Sequence, residues 1–157
     1  MSEFWPLNLN LSDTADPLEI LGQAKQEWIE RSDGLLSLEI QQAESENQNH
    51  MLIVHAKHVP SNRTVTLFSI VHRPGSPYPA RIEPRDLPNF LKKSYYQRSV
   101  ISKFGEKEIT NEWVCDTPAE FRSQLKRAFN LGNIKADLLS LVATTASTGL
   151  DDGESVD

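Results

Sequence analysis

With 157 residues, 38% of them hydrophobic and 24% charged, the chain has the size of one domain and enough apolar material for a core. A single cysteine excludes an intrachain disulfide and, with only four histidines, a cysteine-rich zinc scaffold; no apolar run approaches the length of about 18 residues that suits a membrane span. The net charge of −6 disfavours long-range attraction to a phosphate backbone, so nucleic acid is not the expected partner.

The lead-in, 1–13, has Trp5, Leu7, Leu9 and Leu11 in period-two alternation, the pattern of an edge strand anchored on the domain. Met1-Ser2-Glu3-Phe4-Trp5-Pro6 shows no basic run ahead of an apolar one, and a cytoplasmic setting is expected. Asp16, Pro17 and Glu19 make a helix start for 17–31: a side-chain acceptor, a proline at the first helical position and an acid in the first turn. Leu18, Leu21, Trp28 and Ile29 mark its apolar face, and Ser32-Asp33-Gly34 stops it. Trp28 is expected to be largely buried with Phe121, Leu125 and Phe129.

Leu36, Leu38 and Ile40 alternate with polar residues as in a half-buried strand, and 50–57 and 63–72 follow as β-branched strands. Their short polar connections imply an antiparallel meander. Prolines at 74, 77 and 79 predict an ordered turn leading to a short edge strand at 80–83, because proline cannot donate to a central ladder. Asp86 is placed to cap a short helix reaching Tyr95-Tyr96, and 109–114 reads as another strand. Thr117-Pro118-Ala119-Glu120 opens a helix with Phe121, Leu125, Ala128 and Phe129 on one face, ended at Leu131-Gly132-Asn133. A last helix carries Ile134, Leu138, Leu141 and Val142 to about 145. The expected organisation is a single α+β domain over 1–146, with an N-terminal helix, a meander of about four strands and a C-terminal helix pair, followed by a disordered acidic tail at 147–157.

The charge is unevenly distributed. Residues 1–50 hold ten acids and two bases, whereas 73–107 hold eight bases and three acids. Arg73, Tyr78, Arg81, Arg85, Lys92, Lys93, Tyr95 and Arg98 therefore form the candidate docking face for another protein with an acidic surface. Reversing Arg81, Arg85 and Lys92 to glutamate is expected to weaken capture of such a partner without unfolding the domain. The same basic residues with Tyr95 and Tyr96 are the elements of a nucleic-acid reading, which the net acidity opposes.

The other chemistry-bearing residues point to no active site. His55 and His58 are three apart on a strand and face opposite ways, as do His50 and His55; His50 and His58 share a face but are too far apart to chelate directly. Cys115, at a strand end before a helix N-terminus, reads as a small core residue, with a cysteine-dependent transferase as the alternative. No glycine-rich phosphate loop, Gly-x-Ser-x-Gly or His-Glu-x-x-His is present, and no cofactor, metal or catalytic residue is expected.

Phe68-Ser69-Ile70-Val71-His72-Arg73-Pro74, then Tyr78-Pro79 and Pro84, together with the element order over 17–145, resemble the RWD and ubiquitin-conjugating-like α+β fold. In that superfamily a tyrosine-proline pair pins the chain as it leaves the third strand. The His-Pro-Asn tripeptide and the cysteine that follow in its catalytic members have no counterpart here; Cys115 comes 37 residues after Tyr78 and follows Trp113. The resemblance implies a non-catalytic, adaptor-like protein–protein interaction module. A small immunity or antitoxin-like binding protein fits the same acidic, single-domain profile.

Overall fold

The computed structural model describes residues 4–6, 9–45, 48–85, 99–101, 108–110 and 112–155. Helix α1 (Pro17–Arg31) is followed by strands β1 (Leu36–Glu44), β2 (His50–His58), β3 (Arg63–Arg73), β4 (Ser76–Pro84), β5 (Ser99–Ile101), β6 (Glu108–Thr110) and β7 (Val114–Cys115). Helices α2 (Pro118–Phe129) and α3 (Gly132–Ser155) complete an α+β chain. The main sheet has the order β1-β2-β3-β4-β7, antiparallel throughout, and β5 pairs with β6 apart from it.

Local chemistry explains the helix ends. Asp16 accepts from the Glu19 amide at 2.8 Å and Thr117 from the Glu120 amide at 3.2 Å, each satisfying one amide that a first turn leaves without an intrahelical partner. At the other end of α1, Asp33 (φ 53°) and Gly34 (φ 83°) turn left-handed, and the Gly34 amide reaches back to the Ile29 carbonyl at 2.8 Å. Tertiary packing then selects which apolar residues are used. Pro17, Ile20 and Leu21 are buried and Trp28 packs, partly buried, against the core, whereas Leu18, expected on the apolar face, is 40% exposed.

Register puts one row of side chains after another on the helix-covered face: Leu38 beside Ala56, Val54 beside Phe68, Leu52 beside Ile70, Ile70 beside Ile82, and Ala80 beside Cys115. A bulge between Val54 and His55 leaves Leu67 as an extra residue of β3, fully buried, and keeps both halves of the strand in phase with the core. Helix α1 lies on β1, α2 on β4 and β7, and α3 on β3 and β2. Phe121, Leu125, Ala128, Ile134 and Leu141 close the core from the helix side. The opposite face is laced by polar contacts: Lys57 pairs with Glu39 at 3.1 Å, and His55 bridges Gln41 and Thr66 at 3.0 and 2.9 Å.

Several expectations are corrected. The lead-in forms no strand among its described residues, and Trp5, Leu9 and Leu11 are 58%, 40% and 66% exposed instead of anchored. Strand β4 is nine residues long and internal, because β7 takes its second side. Its prolines do not forbid this: Pro77 and Pro79 fall where the β3 register shifts, and Pro84 is the last residue. The turn into β4 is made by Pro74 and Gly75, the latter at φ 72°, where a side chain would be strained. The strand expected at 109–114 is two pieces, one paired to β5 and one to β4. Helix α3 is assigned to Ser155, past the end expected near 145; no proline interrupts the intervening run. The short helix expected from Asp86 lies outside the described residues, and no helix among those described is long and apolar enough to cross a membrane.

Candidate interaction site

The basic face inferred from the sequence is not gathered by the described residues. Arg73 is exposed at the end of β3. Tyr78 and Arg81 are three apart on β4 and project to opposite faces of the sheet. Arg81 is 6% exposed, opposite Val71 and Val114, each 3% exposed, and binds Glu83 at 2.8 Å. Arg85 is paired with Asp137 of α3. Lys92, Lys93, Tyr95 and Arg98 lie outside the described residues.

Tyr78 works on the helix side as a tether. Its hydroxyl donates to the Ala15 carbonyl at 2.8 Å, joining β4 to the entry of α1 across 63 residues of chain, and its ring meets Phe121 edge-on at 6.4 Å. Burial, then the carboxylates of Asp13 and Asp16, push its hydroxyl well above the usual tyrosine range. A raised value means that the folded state holds the proton more tightly. The stabilisation is therefore complete below the unfolded value near pH 10 and is lost as pH rises past it. Tyr78→Phe should cost about 0.5–1.5 kcal/mol in urea unfolding at neutral pH, and should remove part of the alkaline loss of stability expected of the parent. Equal alkaline slopes for parent and variant would refute the tether's protonation role.

The sulfur of Cys115 is buried, with no exposure of the residue, in the sheet row that meets α2. Of the histidines, His50 and His72 face each other across β2 and β3 with stacked rings 5.4 Å apart, and buried His58 bonds the Ser61 hydroxyl at 2.9 Å. Among the described residues no group of three or more His, Cys, Asp or Glu side chains comes together to hold a metal.

The feature that sequence reasoning missed is a groove between α1 and α2. Ile20, Ala24, Leu125 and Phe129 floor a depression of about 290 Å³, walled by Gln23, Glu27, Arg122 and Lys126. Trp28 stands at its end, tilted against Phe129 with ring centroids 5.1 Å apart, and Phe129 rests in turn on Phe68 at 5.3 Å. The same indole also lines a second depression of about 450 Å³, with Arg31, Ser32, Leu36 and Leu138 as well as Glu27. The indole thus borders both hollows while packed on Phe129. Arg122 spans the helices by binding Gln23 at 2.6 Å and Asp13 at 3.4 Å. Its helix partner lies 99 residues away in the chain, so the signal that reveals the groove is tertiary.

No family model, curated protein or solved structure matches this chain.

Proposed function

We propose that the chain is a non-catalytic protein–protein interaction domain, adaptor-like and RWD-like in arrangement, which receives apolar side chains of a partner in the α1–α2 groove. The carrying observation is Trp28, partly buried, packed on Phe129 and lining both hollows; a large aromatic held rigid beside a surface depression is the residue type that dominates interface energetics. The helix, meander, Tyr78-Pro79 and helix-pair order supports the RWD reading, and Arg31 and Lys126 beside the hollows favour an acidic partner segment. The groove thereby replaces the 73–107 face as the preferred docking surface, since Arg81 and Arg85 are already engaged.

Two experiments test this. Filling the groove with Ala24→Glu, or reversing its rim with Lys126→Glu, should strip partners from a pull-down while the circular dichroism spectrum stays that of the parent. Folded variants that recover the parent's partners in full would remove the groove from consideration. A transferase using Cys115 requires an accessible thiolate, so native protein should resist alkylation at neutral pH and react once unfolded. Rapid labelling of the native thiol would reinstate that alternative. An immunity or antitoxin-like role would use the same groove against a toxin surface.

A further inference from the structure

We propose that His50 and His72 are the two protein ligands of a site for a divalent transition ion of the class that imidazole prefers, such as Zn²⁺, Cu²⁺ or Ni²⁺. The site uses none of the residues that line the groove, so it stands independently of the docking reading. In the cross-strand register His72 of β3 is directly opposite His50 of β2, and the stacked rings have centroids 5.4 Å apart. Directly opposite residues share a face of the sheet, so the ladder itself brings the two imidazoles together. Along its own strand His50 has only His55, on the other face, and His58, too far away. Its partner comes from the neighbouring strand, which no sequence spacing displays.

The geometry suits an ion. A metal about 2.0–2.1 Å from an imidazole nitrogen lies about 3.2 Å from the ring centroid, so two rings bound at a tetrahedral angle have centroids about 5 Å apart. The observed separation is close to that. His72 is also fixed in the form that binds. Its Nδ1 lies 2.9 Å from the Arg73 carbonyl oxygen, which can only accept, so in the neutral ring the proton sits on Nδ1 and Nε2 keeps its lone pair. A hydrogen bond of this kind on the other ring nitrogen is the usual support of a metal-binding histidine. His72 is partly buried, whereas His50 is exposed at the first position of β2. His50 is therefore the ligand that turns about χ2 to meet the same ion.

The row also favours a cation. Glu44 of β1 is opposite His50, and Ala80 of β4 is opposite His72, which sets a carboxylate and no basic side chain beside the pair. Two protein ligands leave the other coordination positions to water, an open site instead of a closed structural one.

Titration calorimetry of the full chain with Zn²⁺ in a non-chelating buffer is the test, with urea unfolding as a second readout. Zn²⁺ should bind one ion per chain and raise the urea midpoint, because it ties β2 to β3 only in the folded state. Mg²⁺, which prefers oxygen ligands, should do neither. His50→Ala or His72→Ala leaves one imidazole and should weaken binding by about a hundredfold or more, since the second ligand otherwise closes as an intramolecular event. Glu44→Gln should weaken it by less, and that loss should shrink as salt rises. His55→Ala, which removes a ring held on the other face by Gln41 and Thr66, should leave Zn²⁺ binding unchanged. No binding by the folded parent, unaltered binding by His50→Ala, or loss of binding with His55→Ala would each overturn the site. His50 is exposed, so its variant decides the matter even where His72→Ala proves unstable.

Discussion

Cutting Phe121 back to alanine should destabilise the domain by about 3–5 kcal/mol in urea unfolding. Phe121 has no exposed surface and sits in the first turn of α2, where Thr117 fixes the helix start and Tyr78 meets the ring edge-on. Neither neighbour can follow the side chain inward: the threonine is held by its cap and the tyrosine by its bond to Ala15. The cavity should therefore stay open, which puts the cost at the upper end for such truncations. Trp28→Ala is the informative companion. The apolar pattern assigns both aromatics the same role, but the indole is partly buried where Phe121 has no exposed surface, so Trp28→Ala should cost less than Phe121→Ala. A loss below about 1 kcal/mol for Phe121→Ala would contradict the packing described here.

How much of this fold was legible follows from where its determinants lie. The starts of α1 and α2 were readable because the caps are local: Asp16 and Thr117 each bind an amide three residues on. The meander was readable because Leu36, Leu38 and Ile40, and their counterparts in β2 and β3, repeat with the period of the pleat. Leu18 was misplaced because a helix with leucines at 18 and 21 leaves the exact centre of its apolar face open. Packing on β1 chose Ile20 and Leu21. The prolines of β4 point to an edge strand, yet Pro77 and Pro79 fall in the gap of the β3 register and the distant β7 pairs only Ala80 and Arg81, so neither proline is asked for a ladder amide.

The candidate site was far less legible. A count of charges along 73–107 assigns them all to one surface, but a strand sends Tyr78 and Arg81 to opposite faces, and Arg85 finds Asp137 some 50 residues later. Conversely, the groove is assembled from Ile20 to Trp28 and from Arg122 to Phe129, two amphipathic stripes that each read as ordinary core positions. What separates a core stripe from a docking groove is how closely the neighbouring helix approaches. That spacing is set by the sheet beneath both helices, so no local pattern carries it.

The misreading of Arg81 has the largest consequence for experiment. Its side chain is 8% exposed and that of its partner Glu83 15%, with the two charges 2.8 Å apart between Val71 and Val114. A charge held this far from water is tolerated because the partner charge and hydrogen bonds offset its lost hydration. Arg81→Glu would set two carboxylates against each other in that setting, and Arg81→Met would leave Glu83 without the guanidinium it binds. Removing one member of a buried pair typically costs about 3–5 kcal/mol, a large share of the 5–15 kcal/mol that holds a domain of this size together. The triple reversal of Arg81, Arg85 and Lys92, expected from the sequence to leave the fold intact, should instead unfold at markedly lower urea, and any lost binding would then say nothing about a docking face. Arg81→Met combined with Glu83→Leu separates the two effects. Replacing both charges with apolar side chains should recover most of the stability lost by Arg81→Met alone, because no ion is left buried. If Arg81→Glu unfolds at the parent's urea midpoint, the pair is solvated and Arg81 returns to the surface as a candidate for binding.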